Sequence, residues 1–421
     1  MKKDLKLLSL FSGCGGLDLG FEGNFKVLSK SINPQIHPAW KDNTINEKWV
    51  TLPPTRFKTI FANDILRAAQ AAWVPFFKQY GNSEEHFHLA SIVDLVKKQS
   101  SGTSILPDAD IVAGGFPCQD FSVAGKRNGF NSDKGHHGNF LNGLDCPTAE
   151  NRGKLYIWMK HVIELVKPKI FVAENVKGLV SLADAKKIIE NDFRAIGSGY
   201  IVVDAQVLYA PMYGIPQSRE RVIFIGFRKD ALTKEAVRVL SSQNINPEIN
   251  PYPKQTHDSH EAPLFHDSLL LPYVTVGDCI LDLPEPECSN DPSQQSYSKA
   301  RWYGKHCQGQ TEVDLGGIGP TIRAEHHGNI EFRRLSLEHG GKNKEEIKSG
   351  LQERRLTVRE CARIQTFPDD FEFVRKASKL GGDYSLSTSE GYKVVGNAVP
   401  PLLAFHIAWR LQELWPNIMK Y

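Results

Sequence analysis

The 421-residue chain contains no apolar run long enough to cross a bilayer. Its longest runs, such as Ile170–Ala173 and Val222–Phe227, fall far short of the roughly 20 residues a membrane span needs. The opening Met1–Phe11 places lysines before apolar residues, but Lys6 interrupts the run and no small-residue cleavage site follows. It therefore reads as a first strand rather than a signal peptide. Cysteines never occur as C-x-x-C, and the seven present (Cys14, Cys118, Cys146, Cys279, Cys288, Cys307 and Cys361) are odd in number. Neither a disulfide framework nor a zinc knuckle is indicated, so a reducing cytoplasm is the expected home. Strong charge of one sign is missing as well. The 51 Lys and Arg against 48 Asp and Glu leave +3, which permits a polyanionic partner without arguing for one. What remains is the composition of an ordinary globular protein, long enough for two domains or one enlarged one.

Through the first half, short apolar runs alternate with helical patterns. Leu7–Phe11, Thr59–Ala62, Ile111–Ala113, Lys169–Ala173, Val202–Tyr209 and Arg221–Phe227 read as strands. Leu17–Glu22 predicts a short helix, Leu155–Val166 a longer one stopped by Pro168, and Ala183–Ile196 a third closed by Gly197. This alternation predicts an α/β fold, a parallel sheet with helices on both faces. From about 230 to 390 the regular period fades and Pro, Gly, Asn and His accumulate. So long a structureless loop within one compact domain is unexpected, which points to a second, irregular domain. Gly391–Leu414 returns to order with a Gly-Asn turn, Pro400-Pro401 and an apolar helix. The economical arrangement joins 1–229 and 391–421 in one domain, with 230–390 inserted before the C-terminal helix. Asn24–Lys58 and Asn128–Arg152 are longer than such units require. His136-His-Gly-Asn139 recurs as His326-His-Gly-Asn329, but adjacent histidines point different ways and no ligand spacing accompanies them, so no metal site is expected.

Four features carry chemistry. Phe11-Ser-Gly-Cys-Gly-Gly16 follows a strand and opens a helix, where glycines let backbone amides approach a ligand. Asp18 stands where a dinucleotide fingerprint needs its last glycine, so a plain tight turn competes with a cofactor site. Asp64, ending the second strand, is placed to hold a ribose hydroxyl. Gly114-Gly-Phe-Pro-Cys118-Gln-Asp-Phe-Ser122 sets a cysteine just past a strand's carboxyl end, where open sheets bind ligands. A buried structural thiol is the alternative, although these neighbours do not resemble a core strand. Glu174 ends an apolar strand at the same edge and serves either a ligand or a turn. Gln217-Ser-Arg219-Glu-Arg221 places two arginines on one face of an extended segment, as an anion clamp or a solvated edge.

Taken in order, these residues resemble the cytosine-C5 DNA methyltransferase family of the bacterial restriction-modification type. The motifs carrying the resemblance are Phe11–Leu17, Gly115–Ser122, Glu174–Val176, Gln217–Arg221, Arg354–Pro368 and Gly391–Pro400. The resemblance implies a Rossmann-like, S-adenosylmethionine-dependent methyltransferase sheet, with a smaller target-recognition domain inserted before the C-terminal helix. It implies that Phe11, Gly13, Gly15, Gly16, Asp64, Ile65, Ile92, Pro117, Asn397 and Val399 bind the cofactor. Cys118 would be the nucleophile, Glu174 the cytosine-binding acid, and Arg219 and Arg221 their companions. Two departures concern adenine. Ile65 stands where the family often has a stacking tryptophan, and Ser91-Ile92 where it often has Asp-Ile.

The implied reaction needs these residue types. Cytosine C5 becomes nucleophilic only after a thiolate adds at C6, and the target base must leave the stack. The implied partner is double-stranded DNA, with functional pairing to a restriction endonuclease and a monomeric enzyme. Residues 301–363 carry 12 Lys and Arg, 9 Asp and Glu and four His. Within this modestly basic stretch Gly319-Pro-Thr-Ile-Arg323 resembles the family's Thr-plus-aliphatic signature. Ser122, Thr321, Arg323, Arg333 and Arg334 are the expected DNA contacts, with a solvated charged face as the alternative for each arginine. Competing readings are an RNA cytosine methyltransferase, an idle DNA-binding relative and, more distantly, a thiol oxidoreductase. About 160 residues between motifs favour a DNA-reading domain.

Overall fold

The computed structural model describes residues 3–41, 46–117, 155–181, 184–197, 199–259, 269–303, 309–324, 330–376 and 384–420. Cys118, Ser122, the stretch 128–152 and both His-His-Gly-Asn runs lie outside them.

Short apolar runs, buried on both faces in the central strands, build a seven-stranded sheet. In chain order its strands are β1 (Leu5–Leu10), β2 (Phe57–Asp64), β3 (Phe87–Leu89), β4 (Ile111–Gly115), β5 (Ile170–Val176), β6 (Tyr200–Tyr209) and β7 (Glu220–Arg228). They are arranged β3-β2-β1-β4-β5-β7-β6. The first five pair in parallel, whereas β7 is antiparallel to both β5 and β6. The expected all-parallel sheet is thus corrected at one strand. Only 210–219 joins β6 to β7, too short for the crossover helix that parallel neighbours require.

Alternation feeds two cores. Ile111, Ala113, Ile170, Val172, Ile223 and Ile225 pack on one face, and Val112, Phe171, Ala173, Val222 and Phe224 on the other. Helices α1 (Gly16–Glu22), α2 (Arg67–Phe77) and the C-terminal helix Pro401–Ile418 bury residues on the first face. Helices α3 (Ile92–Ser100), α4 (Leu155–Val166) and α5 (Ala185–Arg194) cover the second. The C-terminal helix packs against α1 and joins its core. A Cβ on Gly20 of α1 would lie 2.4 Å from both Ala404 Cβ and Pro401 O, so glycine is what lets the two helices touch.

Among the sheet strands and the helices that cover them, α2, α3 and β3 have no counterpart in the sequence reading. Pro75 sits inside the alanine-rich α2, and β3 has only three residues, so neither shows a clear period. Within the unexplained 24–58 segment, Lys26–Leu28 pairs antiparallel with Trp49–Thr51. Within it Trp40 is fully buried, stacked on His37 at 4.0 Å and edge-on to Phe405 and His406. This segment clasps the C-terminal helix.

The described residues of 230–390 contain short helices, among them Lys234–Leu240, Val276–Ile280 and Val358–Ile364. Val276, Ile280, Ile322, Leu356 and Val358 join the same core as α1. Arginines buried there meet carboxylates: Arg334 bonds Glu285 at 3.0 Å and Glu346 at 2.8 Å, and Arg354 bonds Glu285 and Glu360 at 2.9 Å. No helix among the described residues is long and apolar enough to cross a membrane.

Candidate active site

The carboxyl ends of β1, β2, β4 and β5 open onto one cavity of about 500 Å³. Its first wall is the turn after β1, where Phe11 (φ 52°), Gly13 (φ 56°) and Gly15 (φ 89°) all take left-handed conformations. Gly13 needs its glycine for that dihedral; a Cβ there would meet nothing within 4 Å. Its N–H donates to Asp64 Oδ2 at 2.9 Å, and Leu66 N–H donates to Asp64 Oδ1 at 2.8 Å. Burial raises the Asp64 carboxyl above the usual carboxylate range. Ile65, Ile92 and Pro117 add apolar lining. Ser91 caps α3, its Oγ accepting from Val93 N–H at 3.2 Å. Lys393, Asn397 and Val399 close the wall from the C-terminal segment.

The opposite end is acidic and basic at once. Glu174, near the end of β5, is buried, with Arg221 Nε 2.6 Å from its Oε1. Gly115 of β4 lies beside it, and a Cβ there would sit 2.6 Å from Glu174 Oε2. Glycine at this position therefore makes room for the carboxylate. Asn175 Nδ2 donates to Phe116 O at 3.1 Å, fixing the backbone two residues before Cys118. The sequence reading passed over Asn175, although it stands inside the Glu174–Val176 motif.

Arg219 and Arg221 both line the cavity, but in different ways. Arg219 is buried and donates to three carbonyls: Ile322 O at 2.9 Å, Ala398 O at 2.7 Å and Gly396 O at 3.2 Å. It ties the Thr321–Arg323 segment to the C-terminal wall. Arg323 follows directly, and a Cβ on Gly396 would strike its carbonyl carbon at 2.2 Å. Thr321 Oγ1 donates to Ser218 O. These contacts bring Thr321 and Arg323 next to the cavity wall.

Other expected residues are not gathered here. Gly15 and Gly16 stay out of the cavity lining. A Cβ on Gly15 would strike the Phe77 and Trp73 rings, and one on Gly16 would strike Val399 O at 2.3 Å, so these glycines serve close packing. Arg333 and Arg334 are buried, not presented to a duplex. Glu346 takes both guanidinia, with Arg333 at 2.6 Å, while Glu285 also holds Arg334. Both were expected as DNA contacts, and that expectation is corrected because their charge is spent inside the fold.

Comparison with known proteins agrees with this geometry. The family model "C-5 cytosine-specific DNA methylase" matches residues 5–413. Type II methyltransferase M.BspRI of Lysinibacillus sphaericus is 33% identical, covering 98% of this chain and 83% of its own. M.BsuRI of Bacillus subtilis is 32% identical over 96% and 78%, and M.HhaI of Haemophilus parahaemolyticus 29% over 73% and 76%. Among solved structures, the S. pombe Dnmt2 methyltransferase shares the fold with a TM-score of 0.55, at 16% identity over 98% of this chain and 99% of that one. The chain belongs to the C-5 cytosine-specific DNA methylase family.

Proposed function

We propose that this S-adenosylmethionine-dependent DNA cytosine-5 methyltransferase acts by covalent attack of Cys118 on C6 of a cytosine flipped out of a specific double-stranded sequence. One observation carries the reading. A single cavity runs from Asp64 and Gly13 at one end to Pro117, Glu174 and Arg221 at the other, so two ligands entering from opposite ends would meet. Its volume suits a nucleoside-sized ligand, and Asp64 with the Gly13 turn offers the acceptor and open backbone that a ribose requires. Phe11, Gly13, Asp64, Ile65, Ile92, Pro117, Asn397 and Val399 would hold S-adenosylmethionine. When bound, it supplies an electrophilic methyl group to C5.

This chain's residues would do the rest. Cys118, as thiolate, forms a bond to C6 and drives electron density towards C5. Glu174 shares a proton with N3 of the base, drawing off charge as the adduct forms, and Arg221 orients that carboxylate. Arg219 holds the two backbone segments flanking the pocket. A water-mediated base takes the C5 proton, the C6–sulfur bond breaks, and the thiolate is restored.

The stretch 230–390 would read the DNA, with Thr321 and Arg323 presented beside the cavity, while 1–229 and 391–421 carry catalysis. Pairing with a restriction endonuclease and a monomeric state belong to the same proposal, supported by similarity to type II methyltransferases. A duplex carrying 5-fluorocytosine at the target should trap a denaturation-resistant adduct, because fluorine replaces the C5 proton and cannot leave as a cation, so elimination stops. Cys118→Ser should form none while still binding DNA and S-adenosylhomocysteine. Absence of the adduct with the unaltered enzyme would overturn covalent attack.

A further inference from the structure

The turn that forms the cofactor wall stands on a buried carboxylate. Asp18, in the first turn of α1, is fully buried. Trp73 Nε1 of α2 donates to its Oδ2 at 2.7 Å, and Ser9 Oγ of β1 donates to its Oδ1. Ser12 Oγ in turn donates to Ser9 Oγ at 2.9 Å. Asn63 N–H donates to Ser12 Oγ at 3.1 Å, and Ser12 N–H to Asn63 O at 2.8 Å. Ser9 and Ser12 both line the cavity beside Phe11 and Gly13. An apolar side chain would fill the space of Asp18 without the desolvation cost, so packing alone does not account for a carboxylate here.

We propose that Asp18 is a positioning residue for cofactor binding, acting through the hydroxyl chain Ser9–Ser12. Ionised, as it is above about pH 7, the Asp18 carboxylate only accepts hydrogen bonds. Ser9 must therefore point its proton at Asp18, which turns a lone pair of Ser9 to Ser12. Ser12 donates to Ser9 Oγ at 2.9 Å, with Ser9 O at 3.2 Å as its second acceptor, and faces Asn63 and the cavity as an acceptor. The direction of the whole chain is set from Asp18, and with it the seating of a turn that holds three left-handed residues.

This inference rests on the reading of that wall as the cofactor site. Asp18→Asn tests it. An amide accepts at one end only and Trp73 can only donate, so the amide nitrogen faces Ser9 and reverses the chain. Calorimetry with S-adenosylhomocysteine should show Kd raised about tenfold or more, with KM for S-adenosylmethionine raised in step and saturated kcat within about twofold of the unaltered enzyme. Ser12→Ala combined with Asp18→Asn should weaken binding by less than the product of the single effects, since both act on one chain.

Asp18→Asn binding like the unaltered protein would overturn the proposal. So would a fall in kcat at unchanged KM, or full additivity with Ser12→Ala. Should Asp18→Asn not fold, Ser9→Ala breaks the same chain while leaving the carboxylate, and it must show the same KM effect; an unaltered KM there also overturns it. Asp64→Ala separates the two readings. If it binds S-adenosylhomocysteine normally, the cofactor wall itself is misplaced. If it loses binding while Asp18→Asn does not, only the role of Asp18 fails.

Discussion

The carboxylates beneath the glycine-rich turn after β1 and those among the buried arginines live under opposite electrostatics. Burial pushes the Asp18 carboxyl up to about 7, and it raises Asp64 and Glu22 as well. For Glu285 burial acts in the same direction, but hydrogen bonds and charge from Arg354 and Arg334 outweigh it and hold the carboxyl at about 2. Glu353 is held at about 2 by the Ser336 N–H, Tyr303 and His339 against the same burial penalty. The difference is one of partners: Asp18 has two neutral donors, Glu285 two guanidinia. Perturbed acids of the first kind gather at functional sites, while the second kind hold a segment poor in regular structure together.

The sharpest break of this comparison is at Glu174, a buried carboxylate with a guanidinium partner. Glu174 lies in the cavity yet carries a guanidinium, Arg221. Arg221→Ala should lower kcat by about 10²–10⁴ and leave S-adenosylhomocysteine affinity unchanged by calorimetry. An equal loss of both would show that Arg221 supports the whole pocket rather than the acid. Next in size is Arg354→Ala in the arginine network. It leaves Glu285 and Glu360 short of a buried partner and should cost about 3–5 kcal/mol in urea unfolding. A loss below about 1 kcal/mol would mean that the network contributes no more than surface pairs do.

A smaller effect is the response to acid, where the two regions pull in opposite directions. Glu285 and Glu353 have folded-state values below their unfolded value of about 4.3, so their stabilisation is complete above that value. It drains as pH falls towards 2. Asp18 has a folded value above its unfolded one, so it favours the folded state increasingly as pH falls from about 7 towards 4. Unfolding temperature should therefore fall between about pH 4 and 2, and His37, kept neutral by burial down to about 4, adds to the loss. An unfolding temperature that does not fall over that range would contradict the signs assigned to Glu285 and Glu353.

The same division marks what was legible in the sequence. β1, β4, β5 and β7 could be read because each is a short apolar, β-rich run beside a polar or glycine-rich motif. The cavity gathers those motifs, since the carboxyl ends of the parallel strands meet there with the start of the antiparallel β7. Helix α2 was lost to Pro75 and a run of alanines, and the paired strands of 24–58 to lengths of three residues. Glycines at 15 and 16 look alike in sequence whether a ligand or a phenylalanine approaches them. Arg333 and Arg334 looked available because their charge is local, whereas Glu285 lies 49 residues from Arg334. A sequence shows a charge but not what cancels it.

The finest test asks what the uncompensated acid costs the fold. At pH 8 Asp18 is ionised in both states, and in the folded one it is buried. Asp18→Asn removes that buried charge while keeping size and shape, so its unfolding midpoint at pH 8 should lie a few degrees above that of the unaltered protein. At pH 5 the unaltered Asp18 is protonated in the folded state and carries no charge either, so the gap should close. Glu22 and Asp64 are common to both proteins and cancel in the difference. Scanning fluorimetry at the two pH values reads this directly, and an Asn variant that melts lower at pH 8 would refute it. A variant that gains stability while losing cofactor affinity would place the cost of Asp18 in the fold and its benefit in the cavity.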